Sequence, residues 1–150
     1  MVATTERTVT RIVVGIDSSE HARRALRWAR DEAQVHGATL EVVHAYPTPE
    51  VAVLPAIAAL PSDEDLEASA YAVIDDQLEE VGGFDGIPVI RIARSGGAAG
   101  VLCHEAADAA MVIIGSRGRG GFKGLLLGSV SQQVATHAPC PVVIVGHGVD

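Results

Sequence analysis

The residues best suited by type and spacing to do chemistry are Asp17, Gly115, Gly118, Gly128 and Ser129, and that chemistry is the holding of phosphate. The apolar run Ala109–Ile114 passes at once into Gly115-Ser-Arg-Gly-Arg-Gly-Gly-Phe-Lys123, and a new helical pattern starts at Gly128-Ser129. Backbone N–H groups can face an anion where no side chain blocks the approach, and the unpaired N–H groups of a helix start favour negative charge. Glycine at 115, 118 and 128 is expected to permit positive φ and close backbone approach. Arg117, Arg119 and Lys123 (the sole lysine) concentrate positive charge there, in a chain whose formal net charge is −8. A solvated basic loop would carry the same charge. The coincidence of basic residues with glycine directly after an apolar strand favours phosphate.

Two familiar phosphate motifs do not fit. A P-loop needs Gly-Lys-Ser/Thr, but Lys123 is followed by Gly124. A dinucleotide fingerprint G-x-G-x-x-G beginning at Gly118 would need glycine where Lys123 stands. The Ser95-Gly96-Gly97 turn lacks the Asp-Ser of pyrophosphate-releasing enzymes and follows the third strand instead of the first. The spacing present is G-x2-G-x9-G-[ST], over Gly115, Gly118, Gly128 and Ser129.

Other candidate chemistry is weaker. The six histidines show no metal-ligand spacing and are read as surface or packed side chains. Cys103 and Cys140 lack the tight spacing of a zinc site and the number of a disulfide framework, so buried, inert thiols are expected. No nucleophile elbow is present. The acidic balance makes nucleic-acid backbones poor partners, since that affinity comes largely from Lys and Arg. No run approaches a membrane span and Met1–Thr10 lacks a signal-peptide core, so a cytoplasmic setting with no membrane partner is expected.

The elements that must position these residues follow from periodicity. At 150 residues, 48% hydrophobic and only 3% aromatic, the chain suits one domain, residues 1–150, with a Val/Ile/Leu/Ala core and a flexible stretch over residues 1–10. Arg11–Asp17 reads as a buried first strand ending on an acid. Ser18 or Ser19 caps a helix with Ala22, Ala25, Leu26, Ala29 and Ala33 on one face, and Gly37 ends it. Arg23, Arg24, Arg27 and Arg30 alternate with acids and read as a solvated face.

Thr39–Ala45 is a second strand. The loop Tyr46–Pro61 has four prolines and no periodicity, so it either covers a ligand or is a loose connection. A capping box at Ser62–Asp65 opens a helix with Leu66, Ala70, Val73, Ile74, Leu78 and Val81 on one face. Ile87–Ile92 is a third strand, with Pro88 at its start or at a sheet edge. A third helix turns Ala98, Val101, Leu102 and Ala106 inward. A fourth, from Gly128 to His137, carries Val130, Val134 and Ala138 on one side, and Val142–Val145 is the last strand. Five strands alternating with four helices imply an α/β sandwich on a mostly parallel sheet, with ligands beyond the carboxyl ends of the strands.

Ile12-Val-Val-Gly-Ile-Asp17, Val43-His-Ala45, the glycine spacing, Leu125–Ser131 and His137–Val145 together make the chain resemble the single-domain, ATP-binding universal stress proteins over nearly its whole length. The resemblance implies a five-stranded parallel sheet in the order 3-2-1-4-5 between four helices, of the adenine nucleotide alpha-hydrolase-like kind. It implies that Gly15, Ile16 and Asp17 line an adenosine pocket, with Asp17 near ribose or a bound Mg²⁺. Ala45 corresponds to a backbone contact to adenine, and Ile114 and Gly115 to the floor of the site. Gly118, Gly128, Ser129 and Val130 correspond to the phosphate-binding backbone. Ser116, Arg117, Arg119 and Ser131 complete the candidate ATP site, the arginines on grounds of charge alone. The Ser95-Gly96-Gly97 turn departs from the acid and proline more common at that place, which bears on helix capping.

Three functions are in play. The first is an ATP-binding sensor or regulator in stress responses with an unknown downstream partner. The second is an ATPase, at most a slow one, because phosphoryl transfer needs a placed nucleophile and no dedicated base stands out. The third is a ligand-independent dimeric module. An apolar edge strand invites a partner, and homodimers are common in the family the chain resembles, so pairing through Val142–Val145 is expected.

Overall fold

The computed structural model describes residues 9–48, 61–119 and 124–148. The proposed cover at 46–61, the N-terminal stretch and Lys123 therefore lie wholly or mostly outside the described residues. Five strands, β1 (Arg11–Gly15), β2 (Thr39–Tyr46), β3 (Val89–Ser95), β4 (Met111–Gly115) and β5 (Val142–Val145), alternate with four helices. The helices are α1 (Glu20–His36), α2 (Asp63–Val81), α3 (Ala98–Glu105) and α4 (Ser129–His137). All four strand pairings are parallel and the order is β3-β2-β1-β4-β5, as the resemblance implied.

Side-chain alternation along buried strands sets the two faces. Ile12, Val14, Leu40, Val42 and Ile113 pack with α1 and α2 on one face. Val13, Val43, Val112 and Ile114 pack with Leu102 of α3 and Val134 of α4 on the other. Each fully buried aliphatic side chain here contributes roughly 1.5–3 kcal/mol of transfer free energy. Crossover connections cover both faces, so the central strands are continuous apolar runs.

Local sequence explains the helix ends. The Ser19 hydroxyl accepts the Ala22 N–H at 3.1 Å, and Gly37 closes α1 in the left-handed region at φ 62°. The Ser62–Asp65 capping box is fully formed at the start of α2. The expected inner face of α1 is buried as a set. That of α2 is only partly so: Ala70 and Ile74 are buried, but so is Gln77, whose Oε1 has no partner among the described residues. Pro88 directly precedes β3, which is an edge strand, and its carbonyl still accepts from Leu40 N–H at 2.8 Å.

Three expectations are corrected. Val130 does not join the inner side of α4; it is 36% exposed, and Ser131 is buried in that turn instead. Cys103 and Cys140 are half-buried, not buried, although burial still pushes the Cys103 thiol up from its ordinary value. Helix α4 starts at Ser129, with Gly128 as its N-cap.

Candidate functional site

The carboxyl ends of β1 and β4 are neighbours, with Val14 opposite Ile113. The chain leaves the sheet there through Gly15-Ile-Asp17 and Gly115-Ser-Arg117, and a crevice of about 500 Å³, part of it open to solvent, lies between them. Its width depends on missing side-chain atoms. A Cβ on Gly15 would lie 2.7 Å from a Leu102 methyl carbon. One on Gly115 would lie 2.8 Å from both the carbonyl carbon and the oxygen of His21, and one on Gly118 2.9 Å from Asp17 Oδ2. None of these glycines, nor Gly128, has a positive φ. The expectation of left-handed backbone at 115, 118 and 128 is thus corrected, while close approach is what the geometry requires.

Hydrogen bonds fix the walls. Ile16 donates its N–H to Val43 O at 2.9 Å, and its carbonyl accepts from His44 Nδ1 at 2.9 Å, so both polar backbone groups at the end of β1 are tied to β2. His44, read from sequence as an ordinary packed histidine, thereby holds the first wall. The second wall closes on itself. Ser116 N–H donates to Val145 O at 3.0 Å, and Gly128 N–H donates to Ser116 O at 2.8 Å. The Ser131 hydroxyl lies 2.8 Å from Gly115 O and 3.1 Å from Ser116 O, and donates toward both. The single hydroxyl hydrogen of this buried side chain is shared between the two carbonyls, the second of which also accepts the Gly128 N–H, and the contact anchors α4 to the end of β4.

Ten of the fourteen residues singled out from sequence line the crevice: Gly15, Ile16, Asp17, Ala45, Ile114, Gly115, Arg117, Gly118, Val130 and Ser131. Ser116 is buried in the wall, and Gly128 has its N–H occupied by Ser116. Ser129 and Arg119 are exposed outside the lining. Ala22, Val43, Ala98 and Leu102 line it unforeseen. Periodicity placed Ala22, Ala98 and Leu102 on inward faces. It carries no signal for which inward position lies above the strand ends and which beneath them.

The lining is mostly apolar, and among the described residues its only ionisable side chains are Asp17 and Arg117. Asp17 Oδ1 accepts the Ser19 N–H at 2.9 Å, which orients the carboxylate. Arg117 Nε is buried without a hydrogen-bond partner among the described residues. An unpaired guanidinium N–H in a concave site is a costly arrangement unless an anion completes it. Behind Gly115 the His21 imidazole is pushed below its ordinary value by burial first, then by His147, Arg24 and Arg117, with Asp17 opposing. Among the described residues no three His, Cys, Asp or Glu side chains cluster to hold a metal. One carboxylate fits Mg²⁺ only where phosphate oxygens and water supply the other ligands.

The model of the universal stress protein family matches residues 8–146. A universal stress protein of Thermus aquaticus is 39% identical over 140 residues, covering 89% of this chain and 96% of that protein. One from Mycobacterium tuberculosis is 35% identical over 133 residues and again covers 89% of this chain; the chain spans about half that relative's length, 44%. Among solved structures, a universal stress protein in complex with cAMP has a TM-score of 0.72 at 22% identity, covering 92% of this chain and 97% of that one. The Archaeoglobus fulgidus protein in complex with dAMP has a TM-score of 0.57 at 23% identity, covering 91% and 98%. The chain belongs to the universal stress protein family.

Proposed function

We propose that this universal stress protein binds ATP in the β1/β4 crevice and acts as a nucleotide-dependent regulator in a stress response. The observation that carries the reading is the pairing, across one glycine-walled crevice, of an apolar floor with Asp17 on one side and, on the other, Arg117 Nε, which has no partner among the described residues. The floor formed by Gly15, Val43, Leu102 and Ile114 suits a nucleoside, which needs apolar cover with a few directed polar groups. Arg117 suits phosphate, for which a guanidinium offers several directed donors. The adenine nucleotides bound by the two relatives above are consistent with this choice of ligand class.

Each residue has a separate task in this reading. Ala45 and Val43 flank the base, and Asp17, already oriented by Ser19, faces ribose or shares Mg²⁺ with the phosphates. When bound, the ion would offset phosphate charge, and Asp17 would hold it from the protein side. Gly118 lets the backbone approach, and Arg117 balances charge. The reading is of a holder more than a hydrolase. Of the two ionisable lining groups, Arg117 cannot serve as a base, and Asp17 already accepts a backbone hydrogen bond.

The same reading places the protein as a cytoplasmic homodimer and as a single domain. Strand β5 is an edge strand whose Val142, Val143 and Ile144 are only half-buried, and a second copy paired along it would cover both its backbone groups and those side chains.

Denaturing the purified protein and weighing the small molecules released tests the ligand. Recovered ATP is expected, with little phosphate released over time. An empty extract, together with no thermal shift on adding ATP and Mg²⁺, overturns the reading. Light scattering at micromolar concentration should give twice the chain mass, and a monomer removes the dimer.

A further inference from the structure

Beyond the crevice, four basic groups from three parts of the chain converge at the ends of β4 and β5. His21 stands in the first turn of α1, with its backbone against Gly115. The His147 ring, two residues past β5, meets the His21 ring edge to face, centroids 4.5 Å apart and planes at 78°. Arg24, one turn along α1, brings Nη1 to 3.4 Å from His147 Nδ1. Arg117 comes from the loop between β4 and α4 and both lines the crevice and acts on His21.

Two buried nitrogens in this group have no partner among the described residues, His21 Nδ1 and Arg117 Nε. The acids nearby are few. Arg24 approaches Glu20 only at 4.0 Å, and Glu20 is already shared with Arg23 and Arg27. Asp17 faces His21 from the end of β1. Arg117 Nε–H is a buried donor without a partner among the described residues, and beside a surplus of positive charge an anion would complete it.

Strand order gives the direction. Ala45 ends the crevice on β2, and the cluster, which runs from Arg117 after β4 to His147 after β5, lies two to three strand spacings away, a lateral distance of roughly 10–14 Å. A nucleotide whose base lies at Ala45 and whose phosphates run toward Arg117 points its distal end at His21 and His147.

We propose that His21, His147, Arg24 and Arg117 form a distal-phosphate subsite that binds a polyphosphate tail together with a proton. This rests on the nucleotide reading of the crevice. In the free protein the flanking arginines oppose protonation of His21, as does its burial. An anion at Arg117 reverses that balance, so the bound state holds more protons than the free state. By linkage, affinity for a nucleotide with a polyphosphate tail rises as pH falls through the imidazole range, and affinity for a nucleoside monophosphate does not. Occupancy would then report acidification as well as ATP concentration.

Calorimetry of the full chain with ATP, AMP and inorganic triphosphate, at pH 5.5 to 8.5 and in buffers of different ionisation enthalpy, tests this. The expected result is proton uptake with ATP near neutrality and about tenfold tighter ATP binding at pH 6 than at pH 8, with less than a twofold change for AMP. His21→Asn should remove most of the uptake and bind ATP at every pH with the weaker affinity that the parent shows at pH 8. His147→Gln, in an exposed residue, should weaken ATP binding severalfold across the range, and circular dichroism checks the folding of both variants. Inorganic triphosphate taking up protons without the nucleoside assigns the linkage to the tail. ATP and AMP binding with the same flat pH profile overturns the subsite and leaves the crevice reading intact. No binding of any adenine nucleotide overturns both.

Discussion

Two sets of glycines stand at different places in the fold, for different physical reasons. At Gly37, after α1, φ is 62° and a Cβ would meet nothing within 4 Å; the residue is glycine for its backbone conformation. At Gly15, Gly115 and Gly118, above the strand ends, φ is ordinary and an added Cβ would strike a neighbour within 3 Å; these are glycines for the space they leave. The first kind ends helices. The second shapes a crevice, which exists only because three side chains are absent. The contrast also separates the three crevice positions, since the struck atom is backbone at Gly115, a methyl at Gly15 and a carboxylate tip at Gly118.

That separation sets the size of the effects expected on substitution. Gly115→Ala is the severest, because the carbonyl of His21 cannot move without shifting α1. It should destabilise by about 1–3 kcal/mol and abolish ATP binding, read by denaturant melts and calorimetry. Gly37→Ala should also cost stability, about 1–2 kcal/mol, yet leave nucleotide affinity unchanged. If both variants lose binding in proportion to stability, the distinction between the two groups is void. Gly118→Ala is milder for the fold because the Asp17 carboxylate can swing aside. It should change stability by under about 1 kcal/mol and weaken ATP binding about tenfold. Equal affinity for parent and variant would remove the Gly118–Asp17 juncture from the site.

The smallest effect concerns protons in the free protein. His21 has its value lowered in the folded state, so between that value and the unfolded one near 6.5 the unfolded chain binds more protons. Free-protein stability should therefore fall as pH drops through the imidazole range, while ATP affinity rises over the same range. A His21→Asn melting profile should be flatter there. A parent profile identical to that of the variant would detach His21 from any titration.

Much of the fold was legible because its signals are local. Ala22, Ala25, Leu26, Ala29 and Ala33 repeat at helical spacing and are buried together, and Ser62 with Asp65 announces its own cap. The crevice was legible in outline because Asp17 and Gly115 each end an apolar strand. Its details were not. Whether a glycine serves φ or space depends on what lies opposite, and His21 is 94 positions from Gly115 in the chain. Val130 reads as a core residue by period, yet the turn that begins α4 puts it at the rim and buries Ser131. The contact of Arg24 with His147 joins residues 123 apart, and nothing near either residue announces it. The arginine-rich face of α1 was read as solvated, and its ion pairs with Glu20, Asp31 and Glu80 fit that, but Arg24 also turns toward the strand ends.

The central strand has a consequence for how the molecule is made. On one edge β1 pairs with β2, Ile12 against Leu40; on the other it pairs with β4, Ile12 against Met111, about a hundred residues later. A chain emerging from the ribosome can therefore zip β1, β2 and β3 together while the second edge of β1 waits. Closing that long loop is entropically late. The crevice needs both edges, so it forms only after β4 has been made and has paired with β1.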